Sequence, residues 1–163
     1  MDFQSVYDQA WQLRNEEAYD KANALAHKGL SRAKEMDDAL GQALMLKIIA
    51  QVHHDNNELD LALKTYKKIE PIYIDLKMQP QQMHALRHIG NLFLELGKAE
   101  CAEKCLVQVV ENYEEHETPQ LEKANAYYAY AMSLKKRGKT DEASAYEEKS
   151  KDIYNAYGID LDS

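Results

Sequence analysis

Residues 88–102 read His88-Ile89-Gly90-Asn91-Leu92-Phe93-Leu94-Glu95-Leu96-Gly97-Lys98-Ala99-Glu100-Cys101-Ala102. Apolar residues recur here at helical spacing on both sides of Gly97, and small residues stand at Gly90 and Ala102. Such a segment suits a helical hairpin: a small residue where the first helix lets its partner approach, a left-handed turn, then a small residue on the second helix at the closest crossing. The pattern extends outward in both directions. Ala22, Ala62, Ala102 and Ala143 are separated by 40, 40 and 41 residues. Five positions before each stand Glu17, Asn57, Gly97 and Gly138, and seven before those Ala10, Ala50, Gly90 and Ala131. Three columns in one register predict four helix-turn-helix units.

The quoted stretch, with its apolar-Gly-Asn, aromatic, Gly and Ala positions, resembles the tetratricopeptide repeat (TPR). The fourth unit, from Tyr130-Ala131-Met132 through Gly138 to Ala143, is similar. The first two units keep the Ala columns but place Glu17 and Asn57 where Gly is common. The resemblance covers about residues 3–157. It implies an all-α, α-solenoid fold of four hairpins winding as a right-handed superhelix, with a concave groove lined by the first (A) helix of each repeat. The period exceeds the ordinary repeat of about 34 residues. Together with the linker 33–43, this resembles the longer-repeat subclass found in kinesin-light-chain-like and bacterial regulator proteins.

Start and stop signals predict helices at 3–15, 18–36, 39–55, 58–77, 81–96, 99–116, 120–137 and 140–157, forming repeats 3–38, 39–79, 80–118 and 119–157 of a single domain spanning 1–163. Residues 158–163 read as a short tail. Asp37 and Asp38 are expected to cap the third helix and Thr118 the seventh, with Pro80 and Pro119 at helix starts. Pro71 lies inside the predicted fourth helix and is expected to kink or end it.

Composition narrows the function. At 163 residues the chain fits one domain or a short repeat array, with 45% hydrophobic residues to fill a core. Asp+Glu 28 against Lys+Arg 20 gives a net charge of -8, which argues against nucleic-acid or anionic-membrane binding. Cys101 and Cys105, four apart on one helix, are poorly aimed for a disulfide and read as small packing residues. No apolar run reaches about 18 residues and the start lacks a signal-peptide pattern, so a cytoplasmic protein is expected.

Catalytic motifs are missing: there is no Gly-rich phosphate loop, nucleophile elbow or His-Glu metalloprotease pattern. No enzymatic role, cofactor or metal is therefore expected. His84 and His88 share a helical face, but two ligands four apart arise readily by chance, so they read as polar groove residues. His53 falls in the column of Leu13, Phe93 and Leu134 and reads as a core histidine. The basic run Lys135-Lys136-Arg137-Gly138-Lys139 falls at a hairpin turn, where charges are ordinarily solvated. Tyr127, Tyr128 and Tyr130 cannot all point inward at 100° per residue, so at least one faces outward.

On the TPR resemblance, Arg87 and Asn91 project from the groove-lining face, a cation and an amide spaced as in the family's carboxylate-clamp repeats. Lys47 and Gln51 repeat the arrangement, with Tyr7 and Trp11 equivalent in the first repeat and Tyr128 and Met132 in the fourth. The clamp is partial, because Ile48 and Ala129 stand where clamp repeats place Asn. The function expected is a protein–protein adaptor whose groove takes a partner peptide or helix, an acidic or C-terminal segment being favoured by Arg87 and Lys47. Two alternatives stand beside it. One is a small-ligand or peptide-pheromone sensor acting through a partner. The other is a self-associating subunit, a homodimer through the last helix, where Ile153, Tyr154 and Tyr157 either pack on the seventh helix or form a dimer patch.

Overall fold

A computed structural model of the chain describes residues 2–161, in which eight α-helices and no strand follow one another. They are α1 (Phe3–Asn15), α2 (Tyr19–Glu35), α3 (Ala39–Asp55), α4 (Leu59–Asp75), α5 (Gln79–Glu95), α6 (Ala99–Glu115), α7 (Gln120–Lys136) and α8 (Thr140–Ala156). The chain divides into two compact units, Met1–Ala85 and Leu86–Ser163, and the division falls within α5.

Turn chemistry explains the regular helix ends. After α1 the backbone turns left-handed at Glu17 (φ 60°), the Ala18 amide donates to the Leu13 carbonyl, and the Glu17 amide donates to Arg14. These two bonds satisfy carbonyls that the helix itself leaves open. The same pair closes α3 at Asn57, α5 at Gly97 and α7 at Gly138, so all four positions of the turn column expected from sequence are left-handed. Asp37 (φ 53°) and Lys77 (φ 55°) do the same after α2 and α4; Asp is among the few non-glycine residues that favour this region, whereas Lys does not announce it. The loop from α6 to α7 differs, with His116 extended and Pro119 opening α7. Thr118 does not cap α7. Its hydroxyl turns back to the Tyr113 and His116 carbonyls, at 3.3 and 3.2 Å, and serves the end of α6 instead. Asp38 does cap α3, accepting the Gly41 amide at 2.7 Å.

Of the two outcomes expected at Pro71, termination does not occur, and α4 runs through it to Asp75. Pro71 is exposed, so water can replace the amide bond that its ring removes.

In the N-terminal unit α1 packs on α2 and α3, α2 on α3, and α3 on α4. Ala10, Ala22 and Ala26 are fully buried beside Met45, Ile48, Ile49 and Val52, so the small columns lie at the closest crossings. Arg14 ties α1 to α3 through a two-pronged pair with Asp55, whose Nη2–Oδ1 arm is 3.0 Å. In the C-terminal unit α6 packs on α7 and α7 on α8. Gly90 admits Leu106, which is fully buried, and a Cβ on Gly90 would lie 2.6 Å from Leu106 Cγ. One face of α8 presents Ser144, Glu147, Glu148, Lys151, Asp152 and Asn155, all of them polar.

Candidate functional site

In the N-terminal unit, Tyr7 and Trp11 come from α1 and Lys47 and Gln51 from α3. Trp11 is 46% exposed, while the other three are half-buried. The Lys47 ammonium stands 5.7 Å from the Tyr7 ring centroid, within cation–π range. Burial pushes the Tyr7 phenol above its usual range, with Arg14 opposing the shift. The Gln51 Oε1 is shielded from water and has no hydrogen-bond partner. These residues mix an exposed ring, a cation and an open amide acceptor. His53 is a correction, because it is half-buried rather than in the core, with Nδ1 3.5 Å from Glu58 in the following turn.

The C-terminal unit takes Arg87, His88 and Asn91 from α5 and Tyr128 and Met132 from α7. Asn91, His88 and Met132 are half-buried, and Tyr128 is 40% exposed. Tyr127 and Tyr130 turn inward, so one tyrosine of the three faces out as the helical step requires. Tyr127 donates to Glu114 at 3.1 Å, and both inward rings contact Tyr146, under Lys149. Burial is the first cause pushing the Tyr127 and Tyr130 phenols up to about 12, with Glu114 adding to it for Tyr127 and Tyr146 for Tyr130.

Arg87 departs from the sequence expectation. Its side chain is only 11% exposed, and Nη2 lies 3.7 Å from Oε2 of Glu122 in the first turn of α7. Burial holds the phenol of Tyr113 on α6 above its usual range, with Glu122 adding to the shift and Arg87 opposing it. The residue is therefore a largely buried cation facing an acid rather than an exposed one. Glu122, Tyr113 and the pair formed by the Tyr154 hydroxyl with Asn125 were not singled out from sequence.

The basic run is also corrected, because it is tied down rather than merely solvated. Arg137 and Lys139 both bind Glu103, at 2.9 and 2.6 Å, and Lys135 approaches Glu147 at 3.5 Å. Cys101 is exposed, so it is no packing residue, whereas Cys105 is half-buried. His84 and His88 are both half-buried on α5, and among the described residues no three His, Cys, Asp or Glu side chains come together as a metal site would need. No described helix is long and apolar enough to cross a membrane.

No protein-family model matches the chain, and no curated protein matches it by sequence. Solved structures do match. The apo form of RapI superposes with a TM-score of 0.86 at 16% identity, over 96% of this chain and 57% of that one. Kinesin-light-chain TPR-like repeats from Podosopora anserina give 0.74 at 13% identity, over 95% of this chain and 76% of that one. PlcR of Bacillus thuringiensis, in complex with the peptide PapR7 and DNA, gives 0.68 at 14% identity, over 96% of this chain and 56% of that one. The chain thus spans little more than half the length of RapI and PlcR. An array of α-hairpins closed by left-handed turns, matched this way, makes the class of protein plain: a helical-repeat protein. The particular fold is TPR-like.

Proposed function

We propose that the protein is a non-enzymatic interaction module of the cytoplasm whose A-helix strips bind a peptide segment of a partner protein. One observation carries the reading: at equivalent places on α1, α3, α5 and α7 the chain keeps Tyr7 and Trp11, Lys47 and Gln51, Arg87 and Asn91, and Tyr128 and Met132, with Trp11 and Tyr128 exposed and the rest half-buried. Rigid exposed rings anchor a peptide at small entropic cost, and half-buried amides and cations read its polar groups. The structure of PlcR with a bound peptide supports use of this fold for peptides. It equally suits the sensor variant, in which the bound peptide is a signal and the output passes through a partner.

The test is selection of displayed peptides on the immobilised protein, followed by titration read by Trp11, the single tryptophan of the chain. Selected peptides should perturb its fluorescence and bind Asn91→Ala at least tenfold more weakly. Equal binding to Asn91→Ala and to a Trp11→Ala variant, measured by calorimetry, would remove the strips from the function.

A second reading rests on Tyr157, Ile159 and Leu161, which are 55%, 40% and 42% exposed at the end of the described chain. They form an apolar edge suited to self-association. Tyr154 is not part of it, being buried against α7 and bonded to Asn125. Light scattering separates the readings, since a dimer that Tyr157→Lys dissociates would favour assembly.

A further inference from the structure

Arg87 and Glu122 face each other in the C-terminal unit without closing. Their nearest approach is Nη2 to Oε2 at 3.7 Å, longer than a hydrogen bond, and Arg87 Nε and Glu122 Oε2 are both shielded from water with no hydrogen-bond partner. The Arg87 side chain as a whole is 11% exposed and the Glu122 side chain 36%, although the two unpartnered atoms themselves are covered. Burial holds the phenols of Tyr113 on α6 and Tyr154 on α8 above their usual range, with Arg87 opposing the shift and Glu122 adding to it in both. The Asn125 side-chain oxygen is already occupied by the Tyr154 hydroxyl.

This arrangement leaves an open donor beside an open acceptor. A ligand carboxylate brings acceptors only and meets Glu122 as a like charge, which cancels much of its attraction to Arg87. An ammonium brings donors only and meets Arg87. A backbone amide has one of each, but in a trans peptide the C=O and N–H point in opposite directions and do not reach adjacent partners. A primary carboxamide points its C=O and one N–H the same way, so its oxygen can accept from Arg87 Nε–H while its nitrogen donates to Glu122 Oε2. Both protein atoms gain a partner without giving up a water.

We infer that the C-terminal unit selects a peptide bearing a Gln or Asn side chain at this point over one bearing Glu or Asp, and that Glu122 sets the preference. The inference rests on the peptide-binding reading and narrows it, replacing the acidic segment expected from sequence with a neutral one. It requires the Glu122 side chain, 36% exposed as a whole, to turn so that Oε2 reaches the ligand.

Displayed peptides selected on the wild type and on Glu122→Gln test it. Wild-type pools should be enriched in Gln or Asn at a shared position, and Glu122→Gln pools in Glu or Asp. A selected Gln peptide and its Glu counterpart, titrated by calorimetry, should differ about tenfold in favour of Gln on the wild type and reverse on the variant. Binding of the Glu peptide to the variant should weaken with added salt, as an uncompensated cation requires. Glu117→Gln, in the exposed loop before α7, should leave the preference unchanged. Should Glu122→Gln lose its helical signal, the Gln and Glu peptides against wild type alone decide the matter. Identical choices by wild type and variant, or a wild type preferring Glu, overturn the inference while leaving peptide binding intact. A folded wild type that enriches no peptide removes the underlying reading as well.

Discussion

Gly90 and Gly29 show how one absent methyl can matter by different amounts. A Cβ on Gly90 would press on Leu106 Cγ, a branched carbon fixed in a fully buried side chain. On Gly29 it would approach Met45 Sδ at 2.4 Å, closer still, but a thioether on three rotatable bonds can swing aside. Gly90→Ala should therefore destabilise by about 1–3 kcal/mol and Gly29→Ala by less, read as urea midpoints. The opposite ranking would misplace the hairpin crossings. Arg87 carries the second prediction at this scale. Replacing it with Gln leaves Glu122 against Tyr113 without its cation. The loss should be about 1–2 kcal/mol in a thermal melt, below the figure for a fully buried pair because Glu122 is partly solvated. A melt coincident with wild type would show that the pair contributes nothing to folding.

Among the elements, the α7–α8 hairpin is held to α6 by Glu103, which accepts both Arg137 and Lys139. Burial acts to raise the Glu103 pKa, but the Lys139 bond and the two cations outweigh it and hold the carboxyl below the usual range. A folded value lower than the unfolded one stabilises above the unfolded value of about 4.3, and that contribution is lost as pH falls through the folded value. Glu103→Gln should cost about 1 kcal/mol at neutral pH and flatten the acid limb of a stability–pH curve. An unchanged acid limb would mean that the cations sit as well in water as beside Glu103. The helix ends follow a more local rule. Seven left-handed residues, Glu17, Asp37, Asn57, Lys77, Gly97, Gly138 and Gly158, give seven similar closures, so hairpin geometry repeats although only three of the seven are glycine.

At the scale of the whole molecule, far-UV circular dichroism should be that of a helical protein without strand signal, and chelators should leave its melting temperature unchanged. The first follows from eight helices in sequence, the second from the lack of any three-ligand cluster among the described residues. A melting shift on adding EDTA would return attention to His84 and His88. Much of this scale was legible beforehand: every helix appears within about two residues of its expected limits, and the Ala columns at 22, 62, 102 and 143 are all fully buried.

What the amino-acid order determined alone was therefore whatever is written locally. Helical periodicity, a small residue at each crossing and a turn seven positions later act within one hairpin, and the register of about 40 residues copies them along the chain. Tertiary structure decided the fate of the polar side chains. Arg87 meets Glu122 and Arg137 meets Glu103 across about 35 residues of sequence, and Tyr154 finds Asn125 across 29. Such pairings depend on which rotamer a long side chain takes and on which neighbouring helix presents an acceptor, and no local pattern encodes either. For that reason the exposed cation expected at Arg87 became a largely buried one, while the hairpins that carry it came out as read.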